Sequence, residues 1–145
     1  MSVVQNILFP TDGSESSKKA LDYIKELASK FQTKVVVLNT YELPLILNGY
    51  EMNPDIFEQL SKDYMERAEK IVQETKSELE KSATMIETVV LEGSSGSLII
   101  DVAKDKNCDL IVMGRRGLGS VKSFLLGSVS NYVIHHSKYP VLLVQ

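Results

Sequence analysis

The feature that most limits how this chain can fold is an alternation. Five short runs of apolar residues, at 3–9, 34–40, 84–91, 109–113 and 140–144, are separated by stretches in which apolar residues recur every three or four positions. Within runs such as Val35-Val36-Val37-Leu38 there is no polar partner at every second place, so each reads as a strand covered on both faces. The intervening stretches read as helices. Ala20, Leu21, Ile24, Leu27, Ala28 and Phe31 make one face over 14–31, with Ser14 or Asp12 as the N-cap. Asn53-Pro54 reads as N-cap and first turn of a second helix, along which Ile56, Leu60, Tyr64, Ala68, Ile71, Thr75 and Leu79 form a stripe. Gly93-Ser94-Ser95-Gly96 leads into a third with the face Leu98, Ile99, Val102 and Ala103, and 127–136 reads as a fourth. Strands and helices in strict alternation build parallel βαβ units, which predicts a doubly wound α/β fold with helices on both faces of a five-stranded sheet.

A chain of 145 residues can bury a core of its own, and no linker, repeat or low-complexity segment divides it, so 1–145 is expected to be a single domain. A net charge of −3 leaves no excess of cations to neutralise a phosphate backbone, which argues against nucleic-acid partners. One cysteine, Cys108, excludes an internal disulfide and suits a reducing compartment. With no basic leader and no run long enough to span a membrane, the expected location is cytoplasmic.

In open parallel sheets, ligands sit beyond the carboxyl ends of the strands where the strand order reverses. Two strand ends look specialised for this: Pro10-Thr11-Asp12-Gly13-Ser14 after the first, and the glycine-rich stretch from Gly114 to Ser130 after the fourth. In the latter, glycines allow close approach of backbone N–H groups, and Gly127-Ser128 heads a helix whose dipole favours an anion. The glycines could instead serve only a tight turn, and Asp12 could serve only as an N-cap, with Glu15 completing a capping box. The stretch is not a Walker A loop, since Lys122-Ser123 follows Val121 rather than glycine, and the first turn lacks the dinucleotide-binding glycine spacing. His135 and His136 are adjacent on a helix and cannot share a metal. The long connection 41–53, with Pro44 and Asn48-Gly49, packs on its own domain or covers a pocket.

Gly114-x2-Gly117-x9-Gly127-Ser128, with the opening strand leading to Pro10-Thr11-Asp12, the run into Gly114 and the closing Pro140-Val141-Leu142-Leu143-Val144, resembles the universal stress protein family in its ATP-binding subgroup. The resemblance spans nearly the whole chain. It implies a Rossmann-like sheet in the order 3-2-1-4-5 and an ATP site between the first and fourth strands. Carried over, Pro10, Thr11 and Asp12 line the adenosine end, and the backbone at Thr40 meets the adenine edge. Gly114, Gly117, Gly127, Ser128, Val129 and Ser130 hold ribose and phosphates, and Met113 supplies an apolar wall. Arg115-Arg116 departs from the family's usual loop pattern. Mg²⁺ or Mn²⁺ is expected to be carried by the phosphates, since the sequence offers no dedicated metal cage. The implied function is a nucleotide-dependent regulatory, stress-response protein that acts by binding. A slow ATPase or autophosphorylating enzyme, and a dimeric scaffold without nucleotide, are the alternatives. In the implied order the last strand lies at an edge, and Val141-Leu142-Leu143-Val144 is apolar on both faces, which predicts a homodimer through it.

Overall fold

The computed structural model describes residues 3–44, 53–83, 85–115 and 126–145. Nine elements follow one another: β1 (Asn6–Pro10), α1 (Glu15–Phe31), β2 (Lys34–Tyr41), α2 (Pro54–Leu79), β3 (Ile86–Glu92), α3 (Ser95–Asp105), β4 (Leu110–Gly114), α4 (Ser128–His136) and β5 (Val141–Val144). The strands form one all-parallel sheet in the order β3-β2-β1-β4-β5, as expected. Element ends differ from the sequence reading by up to three residues; β1, for example, begins at Asn6 rather than at 3, and β3 at Ile86 rather than at 84.

Successive side chains of a strand point to opposite faces, and here both faces are covered, which is why the runs do not alternate. Ile7 and Phe9 of β1 join α1 and α2 in one core, with Ala20, Ile24, Val72 and Leu79. Leu8 between them joins α3 and α4 in the other, with Ile99, Val102, Ala103 and Val133. All three β1 side chains are essentially inaccessible to solvent, and burying each contributes about 1.5–3 kcal/mol. Cys108 sits in the second core, and its thiol is pushed up to about 11, chiefly by burial and then by the nearby Asp109 charge. It is therefore a packing residue, as base rates for cysteine suggest.

For the helices, the structure decides between two N-caps and corrects one stripe. The N-cap of α1 is Ser14, whose hydroxyl accepts from Ser17 N, while Asp12 lies outside the helix and Glu15 forms no capping box. Glu15 instead pairs with Lys18 at 3.6 Å on the exposed side. Of the stripe along α2 only Ala68 and Leu79 are buried, together with Val72, which the stripe did not include, whereas Ile56 is 59% exposed. The reason is length: 26 residues of helix span about 39 Å, whereas the eight of β2 span about 26 Å. Tyr41, the last residue of β2, meets Tyr64 with ring centroids 6.2 Å apart, so the turns of α2 before Tyr64 extend past the strand end.

Candidate functional site: a crevice where β1 and β4 part

The helical crossovers run to one side of β1 and to the other side of β4, and the two strands separate at their carboxyl ends. Their pairing stops at Leu8↔Ile111, although β1 continues along β2 to Pro10↔Leu38 and β4 continues along β5 to Gly114↔Val144. Proline explains where it stops. Thr11 N–H donates to Leu38 O of β2 at 2.9 Å, and neighbouring amides of a strand point in opposite directions. The amide that Pro10 lacks is therefore one that would have faced β4.

Into this gap opens a crevice of about 150 Å³. Pro10, Thr11 and Asp12 line it from β1, Thr40 from the end of β2, Met113 and Gly114 from β4, and Gly127, Ser128, Val129 and Ser130 from the start of α4. Ten of the eleven residues named from the sequence thus converge, and the eleventh, Gly117, lies outside the described residues together with Arg116. The segment 45–52 of the long connection also lies outside them. Arg115 does not line the crevice; its amide donates to Val144 O at 2.8 Å.

Local hydrogen bonds hold each wall. The Asp12 carboxylate accepts from Ser14 N at 2.9 Å and from Ser17 Oγ at 3.0 Å, and so fastens the β1 loop to the first turn of α1. Gly13 between them has φ +77°, a conformation that favours glycine. Asn39 Nδ2 donates to Thr11 O at 2.8 Å, tying the loop to β2. On the other wall, Ser130 Oγ donates to Gly114 O at 3.0 Å and Gly127 N to Arg115 O at 3.1 Å, which seats α4 on the end of β4. The N-cap of α4 is Gly127, and among the described residues no side chain caps the first amides of that helix.

Four lining residues escaped the sequence reading: Ser17, Leu38, Ser95 and Ile99. Leu38 and Ile99 carried only a core signal. Ser17 had one usable clue, its place three residues after the N-cap. Ser95 sat in a turn with no visible tie to the glycine stretch. The structure joins it to Thr40, whose Oγ1 donates to Ser95 Oγ at 2.6 Å.

Gly114 has a second constraint. A Cβ built there would stand 2.5 Å from Ser16 Oγ and 2.7 Å from the Ser16 carbonyl carbon, so the bare backbone is required for α1 to lie against β4. Among the described residues, no group of three or more His, Cys, Asp or Glu side chains is placed to hold a metal ion.

Together these features define a doubly wound α/β protein with a crevice at its topological switch point, the place where such folds accept ligands. Residues 4–145 match the universal stress protein family, and the chain belongs to that family. It is 31% identical to the universal stress protein MJ0577 of Methanocaldococcus jannaschii, covering 100% of this chain and 98% of that one. To a universal stress protein of Thermus aquaticus it is 35% identical, over 97% of this chain and 98% of the relative. The solved structure of MJ0577 superposes with a TM-score of 0.86 over 99% of this chain and 96% of that one. A universal stress protein crystallised in complex with cAMP superposes with a TM-score of 0.73 at 28% identity, covering 99% of each chain.

Proposed function

We propose that this universal stress protein binds an adenine nucleotide, ATP, in the crevice between β1 and β4, and acts through the bound state rather than by catalysis. The observation that carries the reading is the opposition of two walls. At one end, the first turn of α4 presents amides without a side-chain cap beside Ser128 and Ser130, a natural seat for phosphate. At the other, Pro10, Leu38, Ile99 and Met113 line an apolar slot suited to a flat base. The relative in complex with cAMP supports the class of ligand. Gly117 is assigned with Gly127 to the phosphates, and Mg²⁺ or Mn²⁺ would arrive on those phosphates, keeping several of its waters. Asp12, the one carboxylate among the described residues that line the crevice, is engaged with Ser14 and Ser17 on the β1 wall, opposite α4, which favours binding over hydrolysis.

The test is calorimetric titration of ATP with Mg²⁺ into the parent and Gly127→Val, with circular dichroism confirming that both are folded. The parent is expected to bind, and the variant to lose at least about tenfold in affinity through blocked phosphate approach, a loss of roughly 1.4 kcal/mol. Equal affinities would remove the phosphate from α4.

Assembly as a homodimer through β5 belongs to the same reading. Among the described residues β5 pairs with β4 alone, and Val141, Leu142 and Leu143 stay only half-buried. A cytoplasmic, stress-response setting is part of the proposal.

A further inference from the structure

We infer that the hydroxyl pair of Ser95 and Thr40 reads the exocyclic amine of the bound base, which makes Ser95 a specificity-determining residue. The inference rests on the proposed nucleotide site and adds to it a contact that the glycine stretch does not supply.

The orientation follows from the two walls. With phosphate at the first turn of α4, the rest of the nucleotide extends across the open ends of β4 and β1 towards β2 and α3. There it meets Leu38 and Ile99, which are apolar, and Thr40 and Ser95, whose hydroxyls stand beside the backbone at Thr40. Ile99 and Leu38 belong to the core beneath and are closed to solvent, so the floor of the crevice at that end is apolar. A heteroaromatic ring resting on that surface turns its polar edge to the hydroxyls.

Two hydroxyls carry two protons and four lone pairs. The Thr40 Oγ1 to Ser95 Oγ bond, 2.6 Å long, uses one of each and leaves the pair richer in acceptors than in donors. Such a pair fits a donor, and the amine of adenine is the donor on its polar edge.

Ser95 is also held in place. It is the first residue of α3, and its neighbour Gly96 packs so closely on Tyr132 of α4 that an added Cβ would lie 2.7 Å from the Tyr132 ring carbon Cγ. The turn that carries Ser95 is therefore braced by α4 on one side and by Thr40 on the other. A braced hydroxyl contributes selectivity because it cannot swing away when its partner is missing.

The experiment is a binding cycle. Affinities of the parent, Ser95→Ala and Thr40→Val are measured for ATP, for the purine riboside triphosphate that lacks the amine, and for 2′-deoxy-ATP. In the parent, removing the amine should cost roughly three- to tenfold, the worth of one neutral hydrogen bond. In Ser95→Ala and in Thr40→Val that cost should shrink, the remainder falling to the backbone at Thr40, and the cost of the 2′-deoxy change should be the same in all three. Equal amine costs in parent and Ser95→Ala, or coupling to the 2′-hydroxyl instead, would overturn the assignment while leaving the nucleotide site intact. If the parent bound none of the three ligands, the site itself would fail and this contact with it.

Discussion

At Gly114 the demands of packing coincide with those of the proposed ligand approach. Glycine was read from the sequence as a residue that admits phosphate, yet the nearest obstacle to a side chain is α1, through the Ser16 backbone. Gly114→Ala should therefore destabilise the fold even with no ligand present. Overpacking of this kind costs about 1–3 kcal/mol, measurable as a lower urea midpoint at an unchanged slope. Adding Ser16→Ala should not restore stability, because the obstruction includes the carbonyl carbon and not the hydroxyl alone. A Gly114→Ala protein as stable as the parent would show that α1 can shift freely there. Asp12 presents the opposite case. The sequence offered Asp12 or Ser14 as the helix cap, and the cap is Ser14; the carboxylate serves the loop instead, through Ser14 N and Ser17 Oγ.

Among the elements, β2, β3 and the end of α3 are linked by one carboxylate. Glu87 of β3 meets Lys106 at 2.6 Å and Lys34 of β2 at 3.1 Å. Hydrogen bonds from Lys106 and then Lys34 hold its carboxyl below the ordinary value of 4.5, against the opposing effect of burial. A carboxylate whose folded pKa is depressed stabilises the fold above its unfolded pKa, and the contribution is lost as pH falls through the folded value. The window is thus below about pH 4.5. In melts recorded between pH 7 and 3, Glu87→Gln should be less stable than the parent at neutral pH, and the gap should narrow over that acid range. A gap independent of pH would assign the loss to packing. The side chain is one-third exposed, so the effect is expected to be modest. Helix α2 shows the limit of periodicity: the stripe identified a helix correctly, but burial along it depended on how far the strands beneath extend.

For the molecule as a whole, β5 is, with β3, one of the two edge strands of the sheet. Its four residues pair with β4 on one side, and a twofold mate on the other would satisfy the free backbone groups and cover the half-buried Val141, Leu142 and Leu143. Light scattering after size exclusion should return twice the chain mass of 16.2 kDa, with and without ATP. A single-chain mass across the accessible concentration range would rule out the dimer.

Strand and helix identity, the two-sided burial of every central strand and the turn chemistry at Pro10 to Ser14 could be read locally, because each depends on spacing and side-chain type within a few residues. The convergence of Pro10, Thr11 and Asp12 with Gly127 to Ser130 was legible through a family motif and the switch-point rule. Ser17, Leu38, Ser95 and Ile99 were not. A side chain lines the crevice because of which elements lie beside it, and Ser95 meets Thr40 across 55 residues of chain. That proximity depends on the order of the strands and on the backbone clearances at Gly96 and Gly114, which let α3 meet α4 and α1 meet β4. Long-range packing of this kind leaves no periodic trace in either segment alone.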